Sequence, residues 1–421
     1  MRRIAVLVVF LLALGAPVFS GGQAETDEPV DVEFYFALGG ELGELVEELV
    51  EEFNESQDEV TVDASFQGTY GETANNVMAD LAGGNHPNLA MVSLGNVPQF
   101  LEVEGLVVDL FDYTDDPEFD IDDVIPALVD AGTFGDRFLA LPTNTSTQIF
   151  YYNRDMFEEV GLDPDSPPQT WDEMREAAQV IADHDDDYYG YVGFGSPFEH
   201  WLLEYFFWAN GGDILDDDGG SPVIDSRESI EAFEFLNTLV NEDESSIVVP
   251  YGDSLDLFSA GEAGMLIAST GSLGELRQEA DFEIGTAPNP AGPEGAITSM
   301  GGGFLMMFDH GEAENDAAWE FMKFMVNTEN TARMNIRTGY MPIRDSAQET
   351  DELREFWEDV PQARAAVDGL PGARARHTHQ QLTEIHDILA RAMDSAIIDA
   401  TMTPAEALER AQEEAVEALG D

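Results

Sequence analysis

Two hydrophobic periods alternate along the first hundred residues of this chain, and few folds accept that alternation. Val30, Val32, Phe34 and Phe36 alternate with Asp31, Glu33 and Tyr35, the period of a strand with one face buried. Leu42, Leu45, Val46, Leu49, Val50 and Phe53 then fall at helical spacing with carboxylates between them. Val60 to Phe66 reads as a second strand, Gly71 to Leu81 as a helix ended by Gly83-Gly84, and Asn88 to Leu94 as a short apolar run. A β-α-β-α-β order predicts a parallel sheet with helices on both faces. The pattern restarts after residue 145. Ile149 to Tyr152 is a strand, Thr170 and Glu173 form a capping box, and Tyr189 to Phe194 is a strand. Trp201 to Asn210 and Ile230 to Val240 are helices, and Gly264 to Ala268 is a buried strand opening into a helix at Gly271. With 421 residues the chain is too long for one core, so two α/β units in tandem are expected. A third section, from Phe282, adds a Pro-rich strand end, a strand beginning at Gly301-Gly302-Gly303, and an almost wholly helical stretch from Glu352.

The charge of the chain excludes several partners. There are 86 Asp and Glu against 17 Lys and Arg, a formal net charge of −69, and Lys323 is the only lysine. A phosphate polymer would be repelled, so nucleic acid is excluded, as is an anionic membrane surface. The carboxylates are interleaved with regular apolar positions, which argues for folded helices rather than disorder. At ~1 M salt the screening length falls to about 3 Å. Self-repulsion on this scale therefore predicts a salt-requiring protein with a halophilic acidic surface. Arg2-Arg3 followed by the apolar run Ile4 to Leu14 and small residues reads as an export signal over 1–20, or to 24. The chain contains no cysteine, which leaves neither a disulfide nor a lipid-bearing cysteine. A secreted, unlipidated protein, periplasmic or extracellular, is expected.

Motifs for catalysis are weak. No HExxH, P-loop or dinucleotide fingerprint occurs, and His377 and His379 lack a metal-ligand pattern around them. Thr270-Gly271-Ser272-Leu273-Gly274 has Thr where a nucleophile elbow needs Gly. No cofactor or metal is expected, and the acidic stretch Asp213 to Asp218 reads as a solvated loop. Binding elements are more coherent. Pro142 to Asp155 carries the hydroxyl and amide row Thr143 to Thr147, with Asn144 and Ser146, into an aromatic strand. Such side chains donate and accept hydrogen bonds without fixed charge, which suits a polar uncharged ligand; the same composition suits a plain turn. Ser269-Thr270-Gly271-Ser272 joins a strand to a helix N-terminus, where free N–H groups hold a hydroxyl or simply receive a cap. Gly301 to Gly303 allows close backbone approach to a ligand or forms a bulge. Of the aromatics Trp201, Tyr205, Phe207 and Trp208, Trp201 is expected to face a ligand and the others the core. Tyr70 and Tyr340 sit in Gly-adjacent turns and are expected at exposed tips.

From about Val32 to the C-terminus these motifs occur in a familiar order. They include Gly39-Gly40-Glu41-Leu42-Gly43, Gly68-Thr69-Tyr70, Asn144-Thr145-Ser146-Thr147, Tyr151-Tyr152-Asn153, Thr170-Trp171 and Ala268 to Leu273. Gly301-Gly302 and Thr338-Gly339-Tyr340-Met341-Pro342-Ile343 complete the set. In them the chain resembles the extracytoplasmic solute-binding proteins of sugar-importing ABC transporters (sugar-binding family 1), most closely the glycerol-3-phosphate-binding branch. The resemblance implies an α/β, two-lobed periplasmic-binding-protein fold of class II type, with a helix-rich C-terminus and a central cleft crossed by hinge segments. One lobe would combine 25–143 with 288–338, the other 144–287 with 339–421. It implies ligand contacts from Tyr70, Ser146, the Ser269 to Ser272 turn, Gly302 and Tyr340. Leu94, beside Ser93, stands where the branch has a glutamate, and Thr378 stands where it has a phosphate-binding arginine, with Arg376 nearby but out of register. A neutral sugar, oligosaccharide or polyol is therefore expected, bound without turnover by a monomer and delivered to the transmembrane subunits of a permease. The rivals are a phosphorylated polyol held by Arg376 or Arg374, a secreted carbohydrate-active enzyme, and a chemosensory receptor.

Overall fold

The computed structural model describes residues 29–419 apart from 197, 217, 218, 378 and 380, so the expected export signal and Thr378 lie outside the described residues. Strand β1 (Val30–Phe36) leads into helix α1 (Gly40–Ser56), which buries the stripe Leu42, Leu45, Val46, Leu49, Val50 and Phe53. β2 (Val60–Phe66), α2 (Tyr70–Gly83) and β3 (Leu89–Val92) follow, with β1 hydrogen-bonded in parallel between β2 and β3. α2 starts at a reciprocal capping box between Thr69 and Glu72 and stops at Gly84, whose φ of 77° is left-handed.

β4 (Leu141–Asn153) is thirteen residues long and buried throughout. The hydroxyl row, which composition places at a strand edge and the resemblance makes a hinge strand over 142–148, is itself strand. Each of Thr143 to Gln148 is at most 4% exposed, because the row lies inside the molecule where only a ladder can satisfy its backbone. Beyond it Asn153 caps the next helix, its Oδ1 accepting from Met156 N at 2.9 Å.

The second unit contains α3 (Trp171–Ala182), β5 (Tyr189–Phe194), α4 (Glu199–Asn210), α5 (Arg227–Asn237) and β6 (Ser246–Val249). It continues with α6 (Tyr251–Ser259), β7 (Ala263–Ser269) and, after one 3-10 turn, α7 (Leu273–Glu279). β5 runs parallel to both β6 and β7. β8 (Ile284–Ala287) is shorter than the expected Phe282 to Ala291 strand, and β9 (Thr298–Met307) carries the three glycines. α8 (Glu312–Met325), α9 (Thr328–Thr338), α10 (Leu382–Met393) and α11 (Pro404–Leu419) dominate the rest. No helix among the described residues is long and apolar enough to cross a membrane.

β9 and β4 tie the halves together. β9 runs antiparallel to β3 through Phe304–Met307 and to β4 through Met300–Leu305. At Gln148 β4 changes partner, pairing antiparallel with β7 as far as Tyr152 and with β8 from Phe150 to Asn153. The strand order is therefore β2-β1-β3-β9-β4-β7-β5-β6, and one strand belongs to both sheets. The first lobe packs Phe34, Leu45, Phe53, Trp319 and Phe321 in one core. The second packs Trp171, Phe206, Phe233, Leu389 and Leu408, so α10 and α11 complete it.

Packing departs from the expected lobe boundaries. Tyr340, Met341 and Ile343 enter the core of the first lobe, and Arg344 there reaches Asp123 at 3.2 Å. Residues 290–294 lie against the second lobe, where Pro290 O accepts from Tyr205 Oη at 2.7 Å and Glu294 N donates to Ala209 O at 2.9 Å. Periodicity marks where elements end. It does not mark which core their side chains enter.

Candidate functional site

A cavity of about 770 Å³ opens between the lobes, with Ser146 of β4 in its lining. The first lobe supplies the loop before α1, Thr69 to Gly71, Ser93 to Asn96, Met300 to Gly302 and Tyr340. The second supplies His200 and Trp201, Tyr251, Ser269, Gly271, Ser272, Arg376 and His386. The starts of α1, α2, α4 and α6 all border the cavity, so backbone N–H groups without intrahelical partners gather there. Those of α1 and α6 have no side-chain cap.

Tyr70 and Tyr340 are only 7% and 8% exposed and are not the exposed tips expected. Their rings complete the core of the first lobe while bordering the cavity. Burial pushes both phenols above their ordinary range, so both remain neutral hydroxyls. Tyr70 Oη accepts from Asn144 Nδ2 at 2.7 Å. Asn144 therefore stands behind Tyr70 and does not line the cavity. Glycines permit this crowding. A Cβ on Gly303 would lie 2.2 Å from Asn144 Oδ1, and one on Gly271 would lie 2.4 Å from Tyr340 Cζ. Gly302, at φ +86°, sits at the β9 bulge, where a Cβ would meet Asn144 O at 2.1 Å. The bulge falls after Gly302, while Gly301 and Gly302 line the cavity.

The Ser269 to Ser272 turn divides in the same way. Ser269 Oγ accepts from Gly271 N at 3.1 Å, a local cap, and Ser272 Oγ lies 2.8 Å from Tyr251 Oη. Both serines still border the cavity. Thr270 does not. It is 1% exposed, and its hydroxyl is buried without a partner. On the first lobe Ser93, also in the lining, donates to Asn96 Oδ1 at 2.7 Å.

Trp201, the one expected to be exposed, is buried but lines the cavity, whereas Tyr205, Phe207 and Trp208 are core residues away from it. Trp201 is 7% exposed, and its Nε1 has no partner. The His200 and His386 rings stack at 3.7 Å with an interplanar angle of 7°. Burial first, and the Arg376 charge as well, hold both imidazoles well below their ordinary pKa and hence neutral. Arg376 is drawn into the same wall, its Nε donating to Glu204 Oε2 at 2.8 Å and to Oε1 at 3.0 Å. The out-of-register reading thus understated Arg376, which does line the cavity. Arg374 does not. It packs 4.5 Å over the Trp208 ring, with Nη2 bonded to Asp213 Oδ2 at 2.5 Å.

Asp213, expected in a solvated loop, is instead the centre of that ionic cluster. Burial pushes its carboxyl up, but hydrogen bonds from His377 and Trp208 and the Arg374 charge outweigh burial and hold it below the ordinary range. His377 is thereby accounted for. Among the described residues no group of three or more His, Asp or Glu is placed to hold a metal ion.

Sequence reasoning missed Tyr251, the histidine pair and Glu204. Glu204 did carry a signal. It is the single acid inside Trp201-Leu202-Leu203-Glu204-Tyr205-Phe206-Phe207-Trp208, and a carboxylate buried in such a helix requires a cationic or hydrogen-bonding partner.

A sequence profile described as bacterial extracellular solute-binding protein matches residues 48–365. The chain belongs to this family. Its relatives include the sn-glycerol-3-phosphate-binding periplasmic protein UgpB of Escherichia coli K12, 27% identical over 376 residues that cover 85% of this chain and 83% of the relative. UgpB of Rhizobium meliloti is 28% identical over 363 residues, 83% of this chain and 84% of the relative. Among solved structures, the cyclic alpha-maltosyl-1,6-maltose binding protein of Arthrobacter globiformis superposes with a TM-score of 0.79 at 26% identity, over 93% of this chain and 99% of that one. UgpB of Mycobacterium tuberculosis gives 0.83 at 24% identity over 93% and 98% of the two chains, a likeness of fold. The two UgpB relatives and the Arthrobacter structure are named for binding a solute.

Proposed function

We propose that this protein is the receptor of an ABC importer. It captures a sugar, oligosaccharide or polyol outside the cytoplasmic membrane and hands it to the transmembrane permease without altering it. The observation that carries this reading is the composition of the cavity between the lobes. Hydroxyls of Ser146 and Ser272, rings of Tyr70, Tyr340 and Trp201, and the Gly301-Gly302 backbone come from both sides of the cleft. Rings offer apolar faces to a sugar, and the hydroxyls and helix starts offer hydrogen bonds without net charge. Lobe closure about β4 would bring the two walls onto the solute, and the permease would receive the closed form. The relatives' names divide between the two solute classes: cyclic alpha-maltosyl-1,6-maltose in one case supports this reading, and sn-glycerol-3-phosphate in others supports a phosphorylated polyol.

A thermal-shift screen in molar salt against sugars, polyols and their phosphate esters tests the proposal, because a ligand bound to the folded state raises the melting temperature by mass action. A hit among these solutes, recovered unchanged after incubation, is expected. Turnover of an oligosaccharide, or no hit at all, would overturn the reading. A second reading, a phosphorylated polyol, is favoured by one observation: Arg376 Nη2 is buried at the cleft wall without a partner.

A further inference from the structure

Arg376 is the one lysine or arginine among the described residues lining the cleft, and it does not arrive alone. Its side chain is 9% exposed and its partner Glu204 is 1% exposed, so the pair is shielded from water and salt. Glu204 Oε2 also accepts from Ser299 Oγ at 2.7 Å. Gln148 braces the same corner, its Nε2 donating to Trp201 O at 2.7 Å. The carboxylate engages the guanidinium through Nε and leaves Nη2 free. Trp201 Nε1, His200 Nδ1 and His386 Nε2 are likewise buried and without partners. The second-lobe wall therefore carries unspent polar atoms, several of them donors, while the Arg376–Glu204 pair within it has a formal charge of zero. Around it, Glu41, Glu275 and Asp387 add only negative charge to the lining.

We propose that Glu204 is a specificity-determining positioning residue. It aims Arg376 Nη2 at the solute and cancels the guanidinium charge, so that the cleft accepts an uncharged polyol and rejects the phosphate ester of the same polyol. An approaching phosphate meets the far end of an ion pair instead of a free cation, with a buried carboxylate directly behind it. A hydroxyl or ring oxygen needs only the donor and loses nothing to that carboxylate. This inference rests on the cleft being the solute site. It adds a reason why a cation there does not make the receptor one for anions.

The test is calorimetric titration of the full chain in molar salt with glycerol, ribitol and maltose, with glycerol and ribitol phosphates, and with inorganic phosphate as a bare anion. The wild type is expected to bind a neutral solute more tightly than its ester, and to give no heat with inorganic phosphate. Glu204→Gln should gain about tenfold or more in affinity for inorganic phosphate and the esters, the scale of one charge-assisted hydrogen bond. Glu204→Asp should restore rejection, and Arg376→Met in the Glu204→Gln background should abolish the gain. A merely structural role would move none of these selectivities. A folded Glu204→Gln with unchanged selectivity overturns the proposal. If that variant does not fold, the wild type decides, since tighter binding of esters than of their parents overturns it equally. Failure of every sugar, polyol and ester to bind would sink the receptor reading instead, while the inorganic phosphate titrations would still report on Glu204.

Discussion

On the outside of this protein some cations are each shared among two or three carboxylates, whereas in the cleft one arginine meets one glutamate. Arg227 touches Glu228 and Glu231, Arg333 touches Glu48 and Glu52, and Arg337 touches Glu41, Glu44 and Glu48. Among the described lysine and arginine side chains Arg277 alone has no carboxylate within ion-pair distance; its guanidinium lies 5.6 Å over the Phe356 ring. Exposed pairs of this kind contribute about 0–1 kcal/mol each, and the many carboxylates left over repel one another. The outer surface thus depends on the solvent to screen it. In the cleft the Arg376–Glu204 pair is shielded from that solvent and settles its charge internally, while Glu41, Glu275 and Asp387 leave the rest of the lining acidic.

The largest test of this contrast is ionic strength. Dilution from molar salt to tens of millimolar should lower the melting temperature by on the order of 10 °C or more, read by calorimetry at both salts. An unchanged melting temperature would break the contrast at its outer half. Next comes Tyr340→Ala, which removes an aromatic wall of the cleft. It should weaken binding of the true solute by about 2 kcal/mol or more, roughly thirtyfold in Kd, measured by titration on protein shown to be folded. Gly302→Ala should cost about 1–3 kcal/mol of stability, because a side chain is strained at φ +86° and a Cβ would lie 2.1 Å from Asn144 O. That loss is steric, so denaturant unfolding should give the same difference at high and moderate salt, unlike any surface substitution. The smallest effect belongs to Asp213. Its folded pKa lies below the ordinary 3.8, so its stabilising contribution is complete above pH about 4 and disappears as pH falls through the folded value. Asp213→Asn should be less stable than wild type near neutrality and converge with it in acid unfolding.

Much of this was legible in the sequence, for stated reasons. The α1 stripe and the strand periods of β1 and β2 are local patterns that burial converts directly into packing. Ten of the twelve expected contact residues line the cavity: Tyr70, Ser93, Ser146, Trp201, Ser269, Ser272, Gly301, Gly302, Tyr340 and Arg376. Asn144 and Thr270 fall one layer behind, because strand and turn registers decide which neighbour faces inward. Local composition gave the Thr143 to Gln148 row as a turn or strand edge, since hydroxyls and amides favour turns, and only the family resemblance implied a hinge strand over 142–148. Asp213 looked solvated because Trp208, Arg374 and His377 reach it only through the fold. Glu204 was visible as an oddity in an apolar helix, but its partner lies in the C-terminal region, beyond the reach of any local pattern.

The strand shared by both sheets has a practical corollary. A rigid beam common to two bodies converts a small twist at its middle into a large sweep at the tips, so the protein is half of an optical gauge already. With no native cysteine to compete, thiols introduced at the exposed positions Glu55 and Glu409 would be the sole anchors for a pair of dyes. Energy transfer between them would then follow the solute in real time, in brine, without the transporter present.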